Sequence, residues 1–163
     1  MQTPAETLGV ERCEEGRGCT AAETPASAAQ AGVPPAPGGG ITVEVVRVVK
    51  KWNISSEGVA DAIAKMLRSY GGSYIVLFHY TTWGSCRVTK FLVMNVDGSY
   101  LPDGEWVDNS SNKNANKWKI MLLEEFISKY AGRELLAYCY VSPSCNRSKQ
   151  FSFRAVFRVV KAG

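Results

Sequence analysis

The spacing of hydrophobic and polar positions predicts a strand followed by a helix once the chain becomes rich in apolar residues. Residues 41–50 are rich in β-branched side chains that partly alternate with polar ones, which is typical of a strand. Apolar side chains then recur every three or four positions from Val59 to Tyr70, as on one face of a helix. Ser55 or Ser56 offers an N-cap for this helix, and the glycine pair that follows Tyr70 ends it.

The next part of the chain predicts a hairpin and then a long polar loop. Residues 74–80 are apolar on both faces, and residues 87–96 are a second strand-like run. The glycine-containing stretch between them suits a hairpin loop. Residues 98–117 are rich in Asn, Ser and Asp and have almost nothing to bury, which predicts a surface loop.

A second helix and two more strands complete the predicted fold. Apolar positions from Trp118 to Tyr130 form one helical stripe that ends before Gly132, and residues 135–141 and 151–161 have the pattern of strands. The order β-α-β-β-α-β-β contains the split β-α-β pattern of ferredoxin-like folds. We therefore predict an α+β domain with a mostly antiparallel sheet of about five strands and two helices packed on one face.

Residues 1–40 differ in composition from the rest of the chain. Half of them are Ala, Gly or Pro, and none of the chain's 17 aromatic residues lies there. Such a segment cannot build a core, and its last residues, VPPAPGGG, join a stiff polyproline-like piece to a flexible one. We predict a disordered acidic tail and linker, with residues 41–163 as a single basic domain. There are two alternatives to a disordered linker: an acidic tail that shields the basic domain, and a start of translation further downstream.

The charge is concentrated in the predicted domain. Residues 1–40 hold two Arg and five Glu, which leaves 17 Lys and Arg against 10 Asp and Glu in residues 41–163. A net charge of +7 on a domain of this size favours a polyanionic partner. No apolar run is long enough for a membrane-spanning helix, and no basic-then-apolar leader is present. We therefore expect a cytoplasmic protein with no membrane partner.

Few residues are suited to catalysis or to metal binding. His79 is the only histidine, so a site with several histidines is excluded, and the common phosphate-binding and hydrolase motifs are absent. His79 and Cys86 flank the predicted hairpin loop, so a catalytic pair of Cys86 and His79 is the alternative to a non-enzymatic protein. We expect that the protein is not an enzyme and needs no metal and no cofactor.

The cysteines leave two alternatives open. The five of them fit neither a CxxC redox motif nor paired zinc ligands. Cys139 and Cys145 lie on either side of the turn between the last two strands and form a disulfide if their Cα atoms approach within about 7 Å. The odd number of cysteines and the lack of a secretion signal favour free thiols instead.

One face of the predicted sheet combines aromatic and basic side chains. The last strand alternates cleanly, with phenylalanines on one side and Arg154 and Arg158 on the other. In the strand of residues 87–96 we expect Leu92 and Met94 to face the core, which leaves Phe91 on the reverse. The candidate nucleic-acid-binding residues on this face, at the hairpin tip and at the rim are Trp83, Arg87, Lys90, Phe91, Tyr138, Tyr140, Lys149, Arg154 and Arg158.

Aromatic rings interleaved with Arg and Lys suit a single-stranded nucleic acid. Unpaired bases stack on flat side chains with about 1–3 kcal/mol each, while cations neutralise phosphates, and neither contact needs a particular sequence. The leading hypothesis is sequence-tolerant binding of single-stranded DNA or RNA. The alternative is a protein-interaction or structural subunit, viral or chromatin-associated, that uses the same face as an interface. A homo-oligomer is a further alternative.

Residues 41–161 resemble the ThermoDBP-related single-stranded nucleic-acid-binding proteins of thermophilic archaea. The resemblance lies in the element order, the basic charge and the aromatic-rich strands of residues 74–80 and 151–158. It implies a small α/β domain whose antiparallel sheet and helices form a cleft for single-stranded DNA or RNA. The founding members dimerise through a C-terminal leucine-zipper helix, whereas this chain ends two residues after a predicted strand, so the oligomeric state stays open.

Overall fold

Seven antiparallel strands and two helices make up the described part of the chain. The structure is a computed structural model that describes residues 40–162, so the predicted tail lies, up to residue 39, outside the described residues. The strands are β1 (Ile41–Trp52), β2 (Tyr74–Trp83), β3 (Arg87–Met94), β4 (Glu105–Asp108), β5 (Asn116–Leu122), β6 (Leu135–Ser142) and β7 (Phe151–Lys161). The helices are α1 (Ser56–Leu67) and α2 (Leu123–Tyr130), and a short 3-10 helix covers Arg147–Lys149. Within residues 40–162, no helix is long and apolar enough to cross a membrane.

The strands form one sheet in the order β1-β7-β6-β3-β2-β5-β4, and every neighbouring pair is antiparallel. The α+β class is as predicted, but the prediction of about five strands in the order β-α-β-β-α-β-β is wrong, because four strands lie between the two helices. Both additional strands, β4 and β5, lie in the segment that we predicted to be a surface loop followed by the start of the second helix. They form a hairpin at one edge of the sheet.

Strand β5 shows why the helical interpretation of its residues is wrong. Its backbone pairs with β2 on one side and with β4 on the other, so its amide and carbonyl groups are satisfied across the sheet. Lys117 and Lys119 alternate with Trp118 and Ile120, which is the period of a strand. The helical spacing therefore applies only from Leu123, where α2 begins. Long-range pairing here overrides a local pattern that fits both structures.

The buried side of the sheet carries α1. The Oγ atom of Ser55 accepts a hydrogen bond of 3.0 Å from the backbone N–H of Gly58, so Ser55 is the N-cap. Val59, Ile63 and Leu67 lie on one stripe of α1, are fully buried, and join the core built by the sheet and by the buried residues of α2. The sheet residues on this side, here called the core face, include a row of cross-strand partners: His79, Phe91, Cys139 and Phe153.

The predicted orientation of β3 is wrong. Phe91 and Val93 are buried in the core, with exposures of 0% and 1%, whereas Leu92 is half-buried on the reverse side. The register shows the same inversion, because Phe91 lies opposite Cys139 while Leu92 lies opposite Tyr138. Alternation along a strand with apolar residues on both faces does not say which face is buried, and the larger aromatic ring fills the core.

Candidate functional site

One row of side chains crosses the sheet with one residue from every strand. Each neighbouring pair is directly opposed in the antiparallel register, so all seven side chains point to the side away from the core face. Six steps of about 4.8 Å between strands make this row roughly 29 Å long. From β1 to β4, this first row consists of Lys50, Arg154, Tyr138, Leu92, Phe78, Lys119 and Trp106.

A second row runs beside the first and is displaced from it by two residues on every strand, towards the C-terminus on β1, β6, β2 and β4 and towards the N-terminus on β7, β3 and β5. From β1 to β4, it consists of Trp52, Ser152, Tyr140, Lys90, Tyr80, Lys117 and Asp108. None of the 14 residues in the two rows is buried. We call the two rows together the open face. It is therefore a surface of adjacent aromatic and cationic side chains that spans the whole sheet.

The cations on the middle of the open face lie beside aromatic rings. The Lys90 ammonium lies 6.0 Å from the ring centres of both Tyr80 and Tyr140, its neighbours in the second row. The Arg154 guanidinium lies 5.7 Å from the ring centre of Tyr138 in the first row. Cation–π contacts of this length hold a charged group in place without neutralising it. These cations thus keep their positive charge for an incoming anion.

The same arrangement continues at the β4 edge of the sheet. The Lys119 ammonium lies 5.8 Å from the ring centre of Trp106, and the Trp106 ring meets Phe78 edge to face at 5.3 Å. Trp106 is 63% exposed, so most of its ring is free to stack with a flat partner. The edge strand β4 therefore adds an aromatic platform to the open face.

The charge of the open face is strongly positive. Five of its 14 residues are Lys or Arg and one is acidic, namely Asp108. The Asp108 carboxylate lies 4.0 Å from the Lys117 ammonium, a surface pair that contributes little to stability. Positive charge spread over one surface raises the rate of encounter with a polyanion and favours its binding.

Asn53 holds a basic turn against the β1 edge of the open face. It has a φ of 60°, and its Nδ2 donates to the carbonyl oxygens of Ser148 and Gln150 at 2.9 and 2.7 Å. These bonds fix the loop between β6 and β7 next to the end of β1. Arg147 in this loop places its guanidinium 5.2 Å from the ring centre of Trp52. Arg147 therefore extends the open face by one more cation.

A disulfide joins Cys86 to Cys145 and ties the same loop to the start of β3. The Oγ atom of Ser142 also donates a hydrogen bond to the carbonyl oxygen of Cys86 at 2.6 Å. The disulfide between Cys139 and Cys145 that the sequence left open does not form, because Cys139 is buried as a free thiol on the core face. The alternative of free thiols is wrong for Cys86 and Cys145.

Four of the nine sequence-predicted site residues lie on the open face: Lys90, Tyr138, Tyr140 and Arg154. Arg158 points to the same side of β7, but its guanidinium lies 3.1 Å from a Glu134 carboxylate oxygen and 3.7 Å from one of Glu44. Two carboxylates therefore already neutralise Arg158, so it is less available to a phosphate than Arg154.

The other four predicted site residues lie elsewhere. Phe91 is fully buried on the core face and does not reach the open face. Trp83 and Arg87 are a cross-strand pair at the hairpin tip, with the guanidinium 4.7 Å from the ring centre, and their register places them on the core-face side. Lys149 is exposed in the 3-10 helix beside β7.

Sequence reasoning missed ten of the 14 residues of the open face. The alternation of polar and apolar residues in β5 could have placed Lys117 and Lys119 on one face of a strand. The same residues also fit the apolar stripe of a helix, and the helix was predicted instead. Trp106 lies in a strand of only four residues inside a segment that otherwise looks like a loop. The missed residues that carry charge or an aromatic ring are Lys50, Trp52, Phe78, Tyr80, Trp106, Asp108, Lys117 and Lys119.

His79 and Cys86 do not form a catalytic pair. Cys86 is bonded to Cys145, and the His79 ring is buried and stacked on Trp118 with ring centres 3.5 Å apart. Its Nε2 atom pairs with the Oδ1 atom of Asn116 at 3.3 Å. Burial lowers the pKa of His79 to about 4, because the charged imidazolium loses its hydration. His79 is therefore a neutral residue of the core near pH 7.

Comparisons with protein-family models, with curated proteins and with solved structures find no match to this chain. The resemblance to the ThermoDBP-related proteins therefore stays a prediction.

Proposed function

We propose that this protein binds single-stranded nucleic acid on the open face, without a requirement for a particular sequence. The observation that carries the proposal is the pair of complete rows, which bring five Lys or Arg side chains and six aromatic rings together on one side of the sheet, with none of them buried. A single strand offers phosphates to the cations and unpaired bases to the rings. We propose no metal and no cofactor for this binding.

The dimensions of the open face suit a short stretch of single strand. At the rise of about 3.4 Å per nucleotide that a strand has in a duplex, the 29 Å row takes roughly eight nucleotides, and fewer if the strand is stretched. Site sizes of about 4–16 nucleotides are typical of sheet-based modules that bind single strands. A duplex hides its bases, so the rings of Tyr138, Tyr140 and Trp106 have nothing to stack on in double-stranded DNA.

The rival function is a subunit interface on the same face. In a two-fold symmetric contact the same surface lies on both subunits, so the open face would meet a second copy of itself. Five Lys and Arg side chains would then face five others, with Asp108 as the one acidic residue in each copy's open face, and like charges at close range are unfavourable. The charge therefore favours a polyanion over a second copy of this chain.

The test compares variants of the full chain in a fluorescence-anisotropy titration with a single-stranded oligonucleotide. Replacing both Lys50 and Arg154 with Ala should weaken binding and flatten the dependence of log Kd on log salt by about 0.7 per lost phosphate contact. Arg154→Ala alone has Lys65→Ala as its matched control, because Lys65→Ala also removes one exposed cation, but from α1 on the other side of the sheet. Tyr138→Ala should weaken binding roughly 5- to 150-fold without changing the salt slope.

Two results would contradict the proposal. One is a full chain that binds no oligonucleotide. The other is an Arg154→Ala variant with the same affinity and salt slope as the Lys65→Ala control, because a cation of the open face would then have no more part in binding than a cation of α1.

A further inference from the structure

A cavity of about 330 Å³ opens at the β4 end of the open face. Phe78, Leu92, Lys119 and Trp106 of the first row line it, together with Tyr100 and Leu101 from the segment between β3 and β4. This segment crosses from the centre of the sheet to its edge, so it forms one wall of the cavity while the first row forms the other. The cavity is therefore continuous with the surface that we propose for the nucleic acid.

Short-range contacts fix the wall that the connecting segment provides. The Lys119 ammonium donates to the carbonyl oxygen of Leu101 at 3.0 Å. Gly104 has a φ of +103°, and a Cβ atom there would lie 3.1 Å from the carbonyl oxygen of Ile120. This segment therefore needs glycine for its close approach to β5. Such a wall is formed before any ligand arrives, which is typical of small ligand sites.

The lining of the cavity is mostly apolar, with aromatic residues at the rim. Leu101 is 2% exposed at the bottom, whereas Tyr100 and Trp106 are 73% and 63% exposed at the opening. Lys119 is the one charged residue among the described residues that line the cavity. A flat, weakly polar group with an attached anion fits this combination, since the group replaces water at the apolar wall and the anion stays near the ammonium.

We propose that this cavity takes a single unpaired nucleobase, turned out of the strand that lies on the open face. The inference rests on the proposed function and assigns one nucleotide of the bound strand to one place. The base packs against Trp106 and Phe78, and its phosphate lies near Lys119. At about 330 Å³ the cavity is at the small end of ligand sites, which suits one nucleotide and excludes a stacked pair of bases in a duplex.

The first test measures how much of the affinity depends on bases. The full chain is titrated with an oligothymidylate of about ten nucleotides and with a backbone of the same length that carries no bases. Trp106→Ala should reduce the preference for the oligothymidylate by the value of one stacked base, roughly 5- to 150-fold, and leave the salt slope unchanged. Trp83→Ala is the matched control, because Trp83 is equally exposed, at 64%, but lies on the core-face side.

The second test locates the base directly. An oligonucleotide with 5-iodouracil at single positions is photo-crosslinked to the full chain, and the modified residues are identified by mass spectrometry. Crosslinks at Trp106 or Tyr100 are expected. Binding with crosslinks confined to Trp52, Tyr138 and Tyr140, and with an unchanged base preference in Trp106→Ala, would overturn this inference and leave the proposed function intact.

Two further outcomes concern both proposals. A full chain that binds neither oligonucleotide overturns the proposed function, and the inference fails with it. Binding of thymidine monophosphate at Trp106 without binding of any oligonucleotide would assign the cavity to a free nucleotide and would also overturn both.

Discussion

The disulfide between Cys86 and Cys145 makes a quantitative prediction about stability. It links the start of β3 to the loop between β6 and β7, across a sequence separation of 59 residues. Replacing both cysteines with serine, or reducing the bond, releases this restraint from the unfolded chain. The loop that carries Arg147 also loses its covalent tie to the sheet.

The expected size of the effect follows from the length of the closed loop. The chain-entropy relation for a loop of about 60 residues gives about 4 kcal/mol of stability at 25 °C. With a urea m-value of about 1–3 kcal/mol/M for a small domain, the unfolding midpoint should fall by about 1.3–4 M. This is a large fraction of the 5–15 kcal/mol by which ordinary domains are stable.

The assay is urea unfolding of the full chain, followed by tryptophan fluorescence, with and without the two serine substitutions. Both proteins carry Cys13→Ser and Cys19→Ser, so that no tail thiol exchanges with the disulfide. Thiol alkylation before unfolding provides a second readout. Cys139 should not react in the native protein, because burial raises the pKa of its thiol.

Two results would refute the reasoning. Equal urea midpoints for the oxidised protein and the Cys86 and Cys145 double variant would show that the bond does not restrain the unfolded chain. Alkylation of Cys86 and Cys145 in the unreduced native protein would show that the bond is absent.

Two further predictions concern the core face. The pKa of His79 lies near 4 instead of 6.5, so the folded state binds fewer protons than the unfolded state between these values, and stability falls by up to about 3 kcal/mol as the pH drops from about 6.5 to 4. His79→Gln should flatten this part of the pH profile in urea unfolding, and an unchanged profile would contradict the assignment. Phe91→Ala should cost about 3–5 kcal/mol, as expected for a fully buried Phe, whereas Tyr138→Ala should cost clearly less, and equal losses would argue against the two faces described above.

The parts of the fold that local patterns determine were predictable. Helix α1 has a serine cap and an apolar stripe, so its start and its buried face follow from the sequence, although it ends at Leu67, three residues before the predicted end. Strand β7 has a clean alternation, so its bounds and faces follow as well. Helix α2 was predicted too long, because residues from Trp118 onward fit both a helical stripe and a strand. Only the pairing of β5 with β2 and β4, which joins distant parts of the chain, decides between them.

The candidate site, like the fold, was predictable only where a strand has a clear alternation. Tyr138, Tyr140 and Arg154 were assigned to the open face because their strands alternate, whereas Phe91 was assigned to it wrongly because β3 is apolar on both sides. The cavity at Trp106 was not predictable, since it depends on how the segment between β3 and β4 crosses the sheet. The sequence indicates which residue types are present, and the register decides which of them share a surface.

The most direct test of the central claim is a titration of the full chain with single- and double-stranded oligonucleotides of one sequence, at about 50 and 200 mM salt. If the five cations of the open face each contact a phosphate, the expected slope of about −3.5 lowers the affinity for the single strand roughly 100-fold between these salt concentrations. We predict this loss together with a clear preference for the single strand. Equal affinity for the duplex, or no binding to either, would contradict it.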